Sequence, residues 1–179
     1  TMTGQNIGAG KPDRATRANY VAAQGLFVVL GLAGVLIFLV PAPIVGVFTD
    51  DPAVLREGAT FLRFVALSFG FIGIMRAFTG GFRGAGKTLV AAAISVATLA
   101  AVRLPVAVVA SQALLPTDWW FLGAPDPRGI WVAFAVSNVV GAVIAFLWFR
   151  RGTWRDGDVR GAPGAGDAAT DGEPATGDD

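Results

Sequence analysis

Apolar residues gather into four long blocks, at roughly residues 20–48, 59–82, 88–115 and 129–149, and the charges are pushed to the block edges. An α-helix rises about 1.5 Å per residue and the hydrocarbon core of a bilayer is about 30 Å thick, so about 20 apolar residues in a helix can cross it. Every block reaches that length, and none of the 13 acidic residues falls inside one. Lipid offers no partner for a bare N–H or C=O, so such segments close their hydrogen bonds as helices. The pattern predicts an all-α fold: a polytopic membrane helix bundle of four transmembrane helices within residues 20–155. Residues 1–19 read as a polar cytoplasmic loop. Residues 156–179, rich in Gly, Ala, Pro, Asp and Thr and without aromatics, read as a disordered acidic tail, because they cannot bury enough surface to offset the entropy of ordering.

Basic residues set the expected orientation. With both chain ends inside, the inner face holds Lys11, Arg14, Arg17, Arg83, Lys87, Arg150, Arg151, Arg155 and Arg160, and the outer loops hold only Arg56 and Arg128. That asymmetry is the positive-inside pattern, and it predicts a multi-pass protein of the cell (inner or plasma) membrane with the N-terminal segment and tail cytoplasmic. Aromatic rings favour water interfaces. Trp119, Trp120 and Trp131 bracket the start of the fourth block, Trp148 and Trp154 its end, and Tyr20 opens the first. Asp51 before Pro52 reads as an N-cap and first helical residue. Small residues at every fourth position, Ala93, Ala97 and Ala101 and again Ser137, Gly141 and Ala145, predict close approach of helix backbones.

Composition narrows the chemistry. Hydrophobic residues make up 54% of the chain and charged residues 15%, too few charges for a soluble surface of this size. The chain has no Cys and no His, which excludes disulfides, Cys/His zinc sites, imidazole bases and thiol nucleophiles. With no acid in the blocks either, a membrane enzyme is the least favoured class. No cofactor, metal or nucleic-acid partner is expected.

One motif invites a nucleotide reading. Gly81-Phe82-Arg83-Gly84-Ala85-Gly86-Lys87-Thr88 fits the P-loop pattern at every position. That loop works between a buried strand and a soluble helix, usually with a later carboxylate for Mg²⁺. Here both flanks are membrane-length apolar blocks, and the next acid, Asp118, falls on the opposite side of the membrane. The expectation is a tight inner turn that binds no nucleotide, with Gly supplying left-handed backbone and Arg83 and Lys87 holding the turn inside.

The tetrapeptide Gly-Ala-Gly-Lys occurs twice, at residues 8–11 and 84–87, both on the expected inner face. Here the chain resembles the multidrug and toxic compound extrusion (MATE) transporters. The run Gly4-Gln5-Asn6-Ile7-Gly8-Ala9-Gly10-Lys11-Pro12-Asp13-Arg14-Ala15 is similar to the loop after that family's eighth helix. Phe48-Thr49-Asp50-Asp51-Pro52-Ala53-Val54 resembles the outer turn after the ninth, and Arg83-Gly84-Ala85-Gly86-Lys87-Thr88 the turn after the tenth, where the family usually has Asp at the Lys87 position. Arg103-Leu104-Pro105 resembles the middle of the eleventh helix and Gly129-Ile130-Trp131 the start of the twelfth. The resemblance covers residues 1 to about 155 in order and spacing. It implies helices nine to twelve of a twelve-helix transporter, a fragment whose partners are the lipid bilayer, a small organic substrate and the missing N-terminal helices.

That resemblance also implies antiport of organic, often cationic, compounds against Na⁺ or H⁺ by alternating access. In some members the coupling carboxylate lies on the first helix, and in others acids on the seventh and tenth helices bind the cation. The tenth-helix acid would fall near Ile72, where this chain has Phe71-Ile72-Gly73 and no acid. The coupling-ion site is therefore expected in the missing N-terminal half.

Two basic residues deep in the blocks stand out. Arg103 lies near the centre of the third, where a guanidinium costs about 2.5–3.5 kcal/mol on insertion scales, so it must face the bundle or a watery cavity. Two roles fit it: a cavity-lining group, or a structural Arg capping carbonyls at a kink made by Pro105, which frees the carbonyl of Ala101. Ala100 and Ser111 should flank it on the helix surface, with Asn138 a candidate partner on the next span. Arg76, about two turns from the inner end, can snorkel to the interface. Asn138 and Ser68 are further candidates for the cavity wall, and Gln24 for its inner mouth. Thr79, Ser95, Thr98, Ser111 and Gln112 read as interhelical hydrogen bonders.

Two alternatives accompany the antiporter reading. One is a lipid-linked oligosaccharide flippase of the same superfamily, whose central cavities are typically more cationic; Arg103 and Arg76 favour it and the turn motifs do not. The other is a stand-alone four-helix membrane scaffold or pore.

Overall fold

The structure, a computed structural model, describes residues 2–111 and 128–155, with nothing of the Ser111 side chain. The expected tail 156–179, the outer loop 123–127, Gln112, Trp119 and Trp120 lie outside the described residues. Among those described, every regular element is helical: α1 (Met2–Gly8), α2 (Pro12–Leu39), α3 (Pro41–Gly46), α4 (Pro52–Ala66), α5 (Phe69–Gly84), α6 (Thr88–Ala97), a π-helical turn (Thr98–Arg103), α7 (Leu104–Ser111) and α8 (Arg128–Arg150). Three helices are long and apolar enough to cross a membrane, Pro12–Leu39, Thr88–Ala110 and Arg128–Arg150, and the bent pair Pro52–Ala66 and Phe69–Gly84 is so when taken together, which brings the number of spans to four if the pair is one broken span. The chain is an all-α polytopic membrane bundle.

Residues 2–19, expected as a loop, are largely helical. They form α1 and the first turns of α2, which starts at Pro12 and ends at Leu39 instead of running from 20 to 48. Proline fits the first helical position because its missing N–H would have had no partner there. The α1–α2 junction is closed by Gly10 at φ 68°. Its N–H donates to the Ile7 carbonyl at 2.8 Å, and that of Lys11 to Asn6 at 2.7 Å. The second Gly-Ala-Gly-Lys repeats this geometry. Gly86 has φ 76°, and the N–H groups of Gly86 and Lys87 donate to Arg83 at 3.1 Å and Phe82 at 2.9 Å. Both tetrapeptides are glycine-closed helix ends of the Schellman type, each followed at once by the next helix. The P-loop-like octapeptide is therefore the end of α5, one turn and the start of α6, with no strand before it.

The block at 59–82 is also not one straight helix. The chain enters α4 at Pro52, capped by Asp51, whose Oδ1 accepts from the N–H groups of Ala53 at 2.8 Å and Val54 at 3.3 Å. At Leu67 and Ser68 the helix breaks, and α5 continues bent by 51°. The Ser68 hydroxyl donates to the Val65 carbonyl at 2.8 Å, competing with the helical ladder where it breaks. Glycines then allow close packing on α2. A Cβ at Gly73 would sit 2.8 Å from the Leu26 carbonyl oxygen, and one at Gly34 would overlap the Ala66 carbonyl.

The third span is interrupted as well. Pro105 has no N–H for the Ala101 carbonyl and its ring crowds that turn. The turn just before it widens to a π-helix, and the Leu104 N–H reaches back to Leu99.

Core packing concentrates at the end of the bundle where α2 begins, α5 ends and α8 ends. Phe78, Phe82, Phe149 and Trp154 are fully buried there. Trp154 is thus not an interfacial ring: Gly152, at φ 74°, turns the chain back so that the indole stacks on Phe149 at 4.6 Å. Its Nε1 donates to the Phe149 carbonyl at 3.0 Å. Trp131 packs edge-on against Phe61 at 5.8 Å. On α8, Ser137, Gly141 and Ala145 are buried, and a Cβ at Gly141 would meet Met75 Sδ at 2.8 Å. Ala93, Ala97 and Ala101 do not pack as expected; they are exposed, and α6 and the π-turn bury Ala91, Ile94 and Thr98 instead.

Candidate functional site

Beside that packing, a cavity of about 500 Å³ lies between α5, the α6–π segment and α8, running from Arg83 in the last turn of α5 to Arg103 midway along the bundle. Apolar Ile72, Met75, Leu99 and Phe134 form part of its wall, and Arg76, Arg83, Ser95, Thr98, Arg103 and Asn138 form the rest. Positions 72, 76 and 83 fall on one helical face, as do 95, 99 and 103.

Arg103 leaves the π-turn toward α8. Its Nε donates to Ser137 Oγ at 2.8 Å and its Nη2 to Asn138 Oδ1 at 3.3 Å. The guanidinium lies over the Phe134 ring, 4.3 Å from the centroid. Asn138 Nδ2 then donates to Ser68 Oγ at 3.0 Å, and the Ser68 hydroxyl donates in turn to the Val65 carbonyl at 2.8 Å. Ser137 likewise donates to the Phe134 carbonyl at 2.9 Å. Every donor in this relay points away from Arg103, so the guanidinium is held by neutral acceptors. Ser68 and Asn138 are buried, which makes each of these bonds costly to lose. The relay joins the break between α4 and α5, the π-turn and α8, so both irregular spans are fastened to Asn138 of the regular one.

Of the five residues singled out in the sequence, Arg103, Asn138 and Ser68 are brought together by hydrogen bonds. Arg76 lines the same cavity on an exposed side chain. Gln24 is not brought there: it lies at a separate 210 Å³ pocket with Tyr20, Phe27, Ile74 and Phe146. The expected flank of Arg103 also changes. Ala100 is exposed, and the polar groups beside Arg103 on the cavity wall are Ser95 and Thr98, because the π-turn shifts the helical register. Thr79, Ser95 and Thr98 donate to carbonyls of their own helices, to Met75, Ala91 and Ile94, and not across helices. Sequence reasoning misses two contributors. Ser137 registers there only as a small residue, although it adjoins Asn138, and Phe134 gives no signal beyond its position one turn before them.

Comparison with known proteins gives this geometry a setting. A sequence model of the MatE family matches residues 1–109. The chain is 28% identical over 121 residues to a probable multidrug resistance protein NorM of Thermotoga maritima, covering 68% of this chain and 24% of that protein. It is 29% identical over 155 residues to the multidrug resistance protein PmpM of Pseudomonas aeruginosa, covering 85% and 31%. The probable multidrug resistance protein YpnP of Bacillus subtilis is 25% identical over 155 residues, covering 87% and 32%. The chain thus spans about a quarter to a third of the length of these relatives.

Proposed function

The chain belongs to the MatE family, and from that premise we propose that it forms part of a multidrug exporter. In that reading the exporter moves small organic compounds, often cationic, by alternating access in exchange for Na⁺ or H⁺. The observation that carries the reading is the relay from Arg103 through Asn138 to Ser68 on the wall of a half-polar cavity between spans. A cavity of about 500 Å³ is in the size range of small-molecule sites. Among the described residues no acid lines it, so we assign the coupling ion to helices in the remaining length of the relatives. The same reading puts the protein in the cell membrane with the Gly-Ala-Gly-Lys turns cytoplasmic and with no cofactor or nucleotide. Its work is transport and not catalysis.

The test is export by the intact transporter reconstituted in proteoliposomes, followed with a fluorescent organic cation. Dye movement should follow an imposed Na⁺ or H⁺ gradient and need no ATP. Movement indifferent to both gradients, or driven by ATP, would overturn the proposal.

A further inference from the structure

The sign of the charge around the cavity points to a specific class of ligand. Three guanidinium groups line it, Arg76 and Arg83 from α5 and Arg103 from the π-turn. No Asp or Glu does, among the described residues. The described acids are elsewhere: Asp51 caps α4, Asp50 precedes it, Glu57 lies beside Arg56, and Asp13 pairs with Arg155 at 3.4 Å. The relay on Arg103 positions its guanidinium without neutralising it, since Ser137 Oγ and Asn138 Oδ1 carry no formal charge. A cleft of one sign with apolar walls focuses its field on whatever enters. Guanidinium presents a planar fork of N–H donors that matches a carboxylate and repels a cation.

We propose that this cavity binds an amphiphilic organic acid, or the acid end of a zwitterion. Its carboxylate lies toward Arg103 and Arg76, with Arg83 at the end of the cavity beside the Gly84–Lys87 turn, and its apolar body lies against Ile72, Met75, Leu99 and Phe134. This rests on the cavity being the substrate-facing one and adds the charge preference of this part of the transporter. A cationic group, where the substrate has one, is met by other helices.

The probe is a matched pair, pyrenebutyric acid and its N-methyl amide, bound to the intact transporter in nanodiscs and read by fluorescence polarisation. Wild type should bind the acid about tenfold more tightly than the amide, the scale of one charge-assisted hydrogen-bonded contact. In Arg76→Gln and in Arg103→Gln that preference should fall to about threefold or less, acid affinity dropping by more than amide affinity. The Arg76 side chain is exposed and is not part of the Arg103–Asn138–Ser68 relay, so its variant carries the test if Arg103→Gln does not fold. Equal binding of acid and amide by wild type would overturn the proposal, including the case in which a carboxylate of the protein's own already occupies the cluster. So would an acid preference that survives in Arg76→Gln. Gradient-driven export of a cationic dye is measured in parallel. If the wild type exports the dye but shows no acid preference, the anion site falls and the transport reading stands. If the acid preference is present but no gradient drives export, the transport reading falls and the anion site stands.

Discussion

The two regions that α5 and α8 share are built in opposite ways. At the end bearing the Gly-Ala-Gly-Lys turns, Phe149 is surrounded by Phe78 at 4.9 Å, Phe82 at 5.7 Å, Tyr20 at 6.1 Å and Trp154 at 4.6 Å, ring against ring. Halfway along, the same helices separate around a cavity, and the contact between spans is carried by hydrogen bonds from Arg103 and Asn138. Lipid tails are as apolar as Phe, so burial alone cannot hold helices together in a bilayer; packing shape and polar contacts must. One region uses the first and the other uses the second. Under the proposed function, the aromatic end serves stability and the polar middle serves selectivity.

The largest expected effect breaks the aromatic end. Phe149→Ala should destabilise the bundle by about 3–5 kcal/mol, as large-to-small changes of a buried ring do. Unfolding of the purified protein in mixed micelles checks this, and a loss below about 1 kcal/mol would mean that the rings are not a packing centre.

Arg103→Leu comes next and acts on the other region. It leaves Asn138 Oδ1 without its donor, at about 1–3 kcal/mol for a buried group, and takes one of three guanidiniums from the cavity. Export by the intact transporter should be impaired more than its folded yield. Arg103→Lys should keep part of the activity, since the charge remains but the planar fork is lost. Wild-type export by Arg103→Leu would remove the polar middle from the mechanism.

Two smaller changes sharpen the contrast by touching neither the ring cluster nor the cavity. Asp51→Ala removes the cap of α4 and should cost about 1 kcal/mol of stability with export unchanged. Lys87→Ala lies in the Schellman turn, where the backbone and not the side chain makes the bonds. Export should stay within about twofold of wild type, and no ATP analogue should bind in a way that depends on Lys87. Saturable binding lost in that variant would restore the P-loop reading.

The four spans are legible in the sequence because lipid leaves helix as the only way to satisfy an apolar block. Their breaks are harder to see. Pro105 announces a disturbance near Arg103, and the π-turn lies directly before it. The 51° bend at Ser68 has no proline to mark it, only a serine followed by Gly70 and Gly73, and these residue types are common in straight membrane helices. Among the candidate residues, Arg103, Asn138 and Ser68 are legible because each is too polar for lipid and so must turn inward. Gln24 does not follow that logic: it is exposed on α2, at the edge of a separate pocket, because a residue near a helix end can reach water without turning inward. Trp154 departs from its expected interfacial position because its place depends on Gly152 folding the chain back, a tertiary contact that no periodicity records.

Charge-selective thiol labelling tests the account of an electropositive middle most directly. The chain has no cysteine, so single replacements report cleanly. Ile72→Cys and Leu99→Cys face the cavity, whereas Leu32→Cys and Leu36→Cys lie on the exposed apolar face of α2. In the intact transporter in membranes, positions 72 and 99 should react with water-soluble methanethiosulfonates. There the anionic reagent should be favoured over the cationic one by about tenfold relative to a free thiol in solution. Positions 32 and 36 should stay inert to both. Cavity positions as inert as those on α2, or a preference for the cationic reagent, would contradict the claim.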